Sequence, residues 1–236
     1  MKKKKLIIVG GQGSGVMAMS VFQDINAVTN EWDIEGYLND IRNPGEMLGN
    51  HKVLGPTEAV VDYVKRGYYI HYTLIYNAKQ KEQRVKKLKE MNIPEEAHAT
   101  GIHPLAYVNP TSKVGYGVLM MAFASTSVEV NIGNMVHVYG RGYMAHNAVI
   151  GDYSTITAGS IVGARVKLGE GVHVGLNATI KEDLKIGKYS LIGMAANVLK
   201  DVGERKKIVG NPGRELDTPL IKKIYHHHET IHMGNG

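Results

Sequence analysis

Three groups of residues have the types and spacing to do chemistry. The first is Gly10-Gly11-Gln12-Gly13-Ser14-Gly15, which follows the apolar run Leu6-Ile7-Ile8-Val9. A strand, a glycine-rich turn and a helix N-terminus bring backbone N–H groups to a place where a phosphate can dock, although the same residues also make an ordinary tight strand–helix connection. The second group is His137, His146 and His173, three of the eleven histidines of the chain. A near-neutral imidazole serves either as a general base or as a metal ligand. The third is His226-His227-His228 with His232 near the C-terminus. With no cysteine partner, that cluster reads as a solvated tail.

The central histidines lie in a stretch with a strict period of six. From Val114 to Val198 an aliphatic residue recurs at every sixth position, broken only by Thr126. Glycine often comes next, as at Gly115, Gly133, Gly151, Gly163, Gly175 and Gly193, and two residues before each stop the chain is small or β-branched. This period fits neither a lone helix nor a lone strand. It fits a prism-shaped coil in which each hexad supplies one short strand and one corner, the aliphatic side chain points to the axis, and glycine helps the chain turn. Three hexads make a turn of 18 residues, and turns stack at the ~4.8 Å spacing of hydrogen-bonded strands. Residue i then lies beside residue i+18, which sets Glu129 beside Asn147 and places Thr155 between His137 and His173.

The abrupt start of the hexads near residue 103 divides the 236 residues into an N-terminal unit over 1–99, a coil over 100–214 and a tail over 215–236. Lys5 to Val9, Ile34 to Leu38 and Tyr68 to Tyr76 read as strands; Val16 to Val28 and Ala78 to Met91 read as helices. Strands alternating with helices make a small α/β unit, sized for one nucleotide rather than a dinucleotide. Asn39-Asp40 ends the second strand, where an acidic side chain often meets a ribose hydroxyl. The apolar run after the N-terminal lysines is too short for a signal peptide or a membrane span, and cysteine is absent, so a cytoplasmic protein without membrane attachment is expected. The net charge of +6 favours anionic ligands, and without basic–aromatic interleaving these are small phosphorylated molecules rather than nucleic acid.

The order of these parts resembles the bacterial sugar acyltransferases, a family that includes UDP-amino-sugar N-acetyltransferases and sialic-acid O-acetyltransferase-like proteins. The resemblance covers about residues 4–214 and rests on Ile8 to Gly15, Ile102-His103-Pro104, unbroken hexads carrying Ala145-His146-Asn147, and Val209-Gly210-Asn211-Pro212. It implies a left-handed parallel β-helix after a Rossmann-like nucleotide-sugar unit, a homotrimer, and acetyl-CoA held between neighbouring coils. The family's catalytic histidine falls on His146. The next residue is acidic in the UDP-sugar enzymes but is Asn147 here, which orients the ring without supplying charge; Glu129, one coil away, offers the missing carboxylate. Cofactor positions carry over to Thr155, Gly175, Leu176 and Met194. Thr155 replaces a histidine found in some relatives, and His137 or His173 could take over that contact. Nucleotide-sugar positions fall on Gln12, Gly13, Ser14, Asn39, Asp40 and Tyr76, the last in place of a glycine.

The expected activity is therefore acetyl-CoA-dependent N-acetylation of an amino group on a nucleotide-linked deoxysugar, with no bound metal. O-acetylation of a sugar hydroxyl on the same scaffold is the alternative. A trimeric β-helix zinc hydratase would need His137, His146 and His173 to converge, and a nucleotide-sugar sensor would bind without turnover.

Overall fold

The computed structural model describes residues 3–73 and 80–216. The predicted site residue Tyr76 and the histidine-rich tail lie outside the described residues. The N-terminal unit is built from β1 (Lys4–Val9), α1 (Ser14–Thr29), β2 (Trp32–Leu38), β3 (Met47–Leu48), β4 (His51–Gly55), α2 (Val60–Lys65), β5 (Tyr69–Tyr72) and α3 (Lys81–Glu90). Its sheet has the order β3-β4-β2-β1-β5, parallel apart from the β3–β4 hairpin. Sequence reading misses that hairpin and α2, because Met47 to Lys65 mixes short apolar runs with Gly49, Gly55 and Pro56 and holds no clear period.

From Lys113 to Val198 the chain runs in two-residue strands every six residues, forming three parallel sheets whose strands pair with a register of 18; one sheet begins at Gly101–Ile102 and closes on Lys207–Val209, which pairs antiparallel with Arg214–Glu215. Asn131 stands between Lys113 and Val149, Tyr143 between Ser125 and Ile161, and Thr155 between His137 and His173. The aliphatic column, from Met120 through Val138, Ile156 and Val174 to Ile192, is buried in one continuous core. Thr126 is tolerated inside because its Oγ1 accepts the Asn109 N–H at 2.9 Å and its hydroxyl approaches Ser112 Oγ at 3.3 Å.

The glycines after the aliphatic residue do not make the turn. Left-handed backbone falls two residues later, at Phe123, Glu129, Met135, Arg141, Asn147, Tyr153, Arg165 and Asn177, among others. The glycines are needed for stacking instead: a Cβ on Gly151 would lie 2.5 Å from the carbonyl carbon of Gly169 in the next coil.

The two units share their cores. Phe22 and Met19 of α1 pack with Leu6, Ile8 and Trp32 against Leu119 of the coil. On the other side of the sheet Val85 and Leu88 of α3 join Ile7, Val9, Met135 and Tyr153. The N-terminal unit therefore covers one face of the prism, the one whose outward residues include Leu119, His137, Thr155 and His173. No helix among the described residues is long and apolar enough to cross a membrane.

Candidate active site

His146 lies on the corner loop between the strands Tyr143–Met144 and Val149–Ile150. Its neighbour Asn147 adopts left-handed backbone, φ 58°, a conformation asparagine accepts more readily than most residues. Glu129 occupies the same position one coil earlier, φ 55°. The identical turn aims both side chains the same way, and Asn147 Nδ2 donates to Glu129 Oε2 at 2.6 Å. That bond leaves the amide oxygen of Asn147 facing His146 Nδ1 at 2.9 Å. An amide oxygen only accepts, so Nδ1 must carry the proton and Nε2 holds a free lone pair. The asparagine thus connects the carboxylate of Glu129 to the imidazole without itself bearing charge.

On the next coils of this corner Arg165 and Asp183 form a two-pronged ion pair, at 2.6 and 2.7 Å, which holds the Asp183 carboxyl below its ordinary range. Arg165 is thereby engaged away from Asn147. Val128, exposed, and Ala164, half-buried, flank His146 in the columns above and below, leaving room over the ring.

The proposed cofactor positions divide. Leu176 and Met194, one coil apart, project from a second corner with 47% and 74% of their surface exposed, and Gly175 lies buried beside them. Thr155, His137 and His173 belong instead to the face covered by the N-terminal unit. Thr155 is fully buried, its Oγ1 accepting from Lys81 Nζ at 2.8 Å. His137 is buried and stacks on His71 with ring centroids 5.4 Å apart. His173 is half-buried, and burial pushes it down to about 4. The face these residues share is covered by α3 and β5. Within one chain His146 lies on a different corner from His137 and His173, and among the described residues no group of three or more His, Cys, Asp and Glu could hold a metal ion.

In the N-terminal unit, Gln12 and Gly13 are exposed at the start of α1, and Ser14 Oγ approaches Thr73 Oγ1 at 3.4 Å. Gly10 is required here, since a Cβ would meet the Thr73 hydroxyl at 2.0 Å. Asn39 does not offer its side chain to a ligand. It is buried, donates to Gly10 O at 3.3 Å and accepts from Ile41 and Arg42 N–H at 2.9 Å each, so it shapes the loop. Asp40 is exposed, with Oδ1 accepting the Thr57 N–H at 2.7 Å.

No protein-family model matches the chain. A GDP-perosamine N-acetyltransferase from Escherichia coli O157:H7 is 33% identical over 119 residues, 48% of this chain and 54% of the relative. The chain thus spans about half the length of this curated relative, and 31% of that of the mitochondrial serine acetyltransferase 3 of Arabidopsis thaliana, to which it is 31% identical over 136 residues, 57% of this chain. Among solved structures, the acetyltransferase domain of PglB from Neisseria gonorrhoeae FA1090 superposes with a TM-score of 0.76 at 20% identity, covering 91% of this chain and all of that domain. PerB from Caulobacter crescentus, solved with CoA and GDP-perosamine, superposes with a TM-score of 0.69 at 19% identity over 90% of this chain and 97% of PerB. The chain has the fold of the left-handed β-helix sugar acetyltransferases. Both the N-terminal unit and the coil take part in that likeness, since the superpositions span nearly the whole chain.

Proposed function

We propose that the chain is an acetyl-CoA-dependent N-acetyltransferase acting on an amino group of a nucleotide-linked deoxysugar. The observation that carries this reading is the hydrogen-bonded sequence Glu129–Asn147–His146, which in the neutral ring sets the proton on Nδ1 and leaves the Nε2 lone pair to accept one at an open corner of the coil. The acceptor amine attacks the thioester carbonyl, Nε2 takes the proton the nitrogen loses, and coenzyme A leaves as its thiolate, which is then protonated. The developing imidazolium is held by Asn147 Oδ1 and, through the amide, by the negative charge of Glu129. On the N-terminal unit, Gln12, Gly13 and Ser14 at the start of α1 receive the diphosphate, and Asp40 stands at the end of β2 beside them. Both co-substrates are cytoplasmic metabolites, which is where the reaction is placed.

His146 and the Leu176–Met194 column lie at opposite edges of one prism face, so a single copy does not bring them together. That face bears Tyr143 and Ile161, 38% and 42% exposed. A second copy packed on it would cover these side chains and complete the acyl site, and closure of such contacts around an axis gives the homotrimer. Ile161→Glu is expected to yield monomers by light scattering and to abolish turnover. A fully active monomer would place the whole site within one chain.

The test of the activity is thiol release from acetyl-CoA against UDP-, GDP- and CMP-linked amino sugars. A GDP-linked amino sugar comes first, because the 33% identical relative acetylates GDP-perosamine. Release with hydroxyl sugars alone would make the enzyme an O-acetyltransferase, and no release with any acceptor would leave a binding protein. Asn147→Leu breaks the link to Glu129 while keeping volume. Losing a hydrogen bond that serves a charged group costs roughly 1.5 kcal/mol, about tenfold in rate. Glu129→Gln is expected to lower kcat in the same direction with the KM for acetyl-CoA unchanged; parental rates in both variants would reduce Glu129 to a surface residue.

A further inference from the structure

Beneath the N-terminal unit lies a group of ionisable side chains that the proposed reaction does not use. Lys81, the first residue of α3, is 1% exposed, and its only hydrogen bond among the described residues is the one to Thr155 Oγ1 at 2.8 Å. His71 of β5 is fully buried; its Nδ1–H donates to Ala99 O at 2.9 Å, and its Nε2 has no hydrogen-bond partner among the described residues. His137 of the coil is stacked on His71, and neither of its ring nitrogens finds a hydrogen-bond partner among the described residues. His98, on the segment that leads into the coil, is buried with its ring 5.3 Å from that of Tyr116, and His173 lies one coil beyond Thr155. Buried polar atoms normally find partners, so unpaired imidazole nitrogens at a seam between two units call for an explanation.

The charges these groups feel are one another's. His137 is acted on by His71 and Lys81, His173 by Lys81, and His71 by His98, all in the direction that opposes a second positive charge. Arg84 and Asp40 act on Tyr72 of β5, and Asp152, Glu170 and Glu95 on Tyr153 of the coil, rather than on the cluster. The N-terminal end of α3 adds its own partial positive charge next to the Lys81 ammonium.

We propose that Lys81, His71, His98, His137 and His173 form a proton-operated latch between the N-terminal unit and the coil, closed while these groups are neutral and released as they take up protons. The geometry supplies the reason: five basic side chains meet at one buried seam, and among the described residues no carboxylate is hydrogen-bonded to Lys81, His71 or His137. Burial holds Lys81 down to about 7 and His71, His98 and His173 down to about 4, with His137 well below its ordinary 6.5. All five are depressed basic groups, so any state that exposes them binds more protons than the docked state. Docking then weakens as pH falls from about 10.5 to about 7 through Lys81, and again from about 6.5 to about 4 through the histidines.

Trp32, the only tryptophan of the chain, is a natural reporter. It is buried in the N-terminal unit, edge-on to Phe22 at 5.6 Å, and Phe22 in turn lies 5.2 Å from His71. The experiment is urea unfolding of the full chain at pH 7.5, 8.25 and 9, with Trp32 fluorescence reading the N-terminal unit and far-ultraviolet circular dichroism following the secondary structure of both units. The equilibrium constant for the Trp32 transition is expected to favour the docked state by up to about tenfold more per pH unit, the limit for one proton. Lys81→Met fills the same space without a titrating group and is expected to remove that dependence while leaving the fold intact. A wild-type Trp32 midpoint that does not move between pH 7.5 and 9 overturns the latch, whether or not the variant folds. So does an equal slope in Lys81→Met.

Discussion

His146→Ala lowers turnover by about two to four orders of magnitude, the usual contribution of a positioned general base, while acetyl-CoA affinity changes little. The expectation follows from the tautomer. With Asn147 Oδ1 fixed on the Nδ1 side, the lone pair of the neutral ring is on Nε2, and the other ionisable side chains at this corner are engaged: Glu129 accepts from Asn147, Arg165 is cationic and Asp183 is bound to it. Removing the imidazole takes away the proton acceptor and leaves the coil intact, because His146 contributes nothing to the apolar core. The measurement is steady-state thiol release with separate kcat and KM values. Near-parental turnover would mean that the amine arrives already deprotonated, or that the base sits elsewhere.

Gly151→Ala destabilises the protein by about 3 kcal/mol, at the upper end of the cost of overpacking, and lowers Tm by roughly 6–12 °C for a chain of this size. A Cβ at Gly151 would sit 2.5 Å from the Gly169 carbonyl carbon and 2.8 Å from the Glu170 nitrogen. These are backbone atoms of the adjacent coil and cannot swing aside, so the coils must part and their ladder hydrogen bonds, such as Gly151 N–H to Leu168 O at 3.0 Å, stretch. Ala195→Gly is the control. Ala195 holds φ 54°, where a side chain costs about 1–2 kcal/mol, so glycine there is expected to be neutral or mildly stabilising once its greater unfolded-state freedom is counted. Calorimetric melts of the two variants check both. If Gly151→Ala melts with the parent, the close approach of the coils is not what selects glycine at this position.

The contrast between these two glycine positions marks a boundary in what a hexad reveals. The period itself is visible in the letters and limits the register to multiples of six; three hexads per turn make it 18. From that register alone Glu129 falls beside Asn147, and the structure joins them through a 2.6 Å hydrogen bond. The role of the glycine is not legible in the same way. Whether a small residue serves a left-handed turn or a close contact depends on the coil above it, which no local pattern describes.

The same division runs through the candidate site. The sequence by itself determined the coil, its core and the stacking of Glu129 on Asn147, since all three follow from one repeat and need no partner outside it, whereas His146 is singled out by the family resemblance. Only the tertiary structure decided which prism face stays open. His137, Thr155 and His173 have the same arithmetic as any other outward column, and the spacing that aligns them says nothing of what lies on top. That face is closed because α3 and β5 pack there, placing Lys81 on Thr155 and His71 on His137, while Asn39 turns inward to hold the loop after β2. Docking of one unit on another is a match between two surfaces far apart in the chain, and such a match appears only when both have folded.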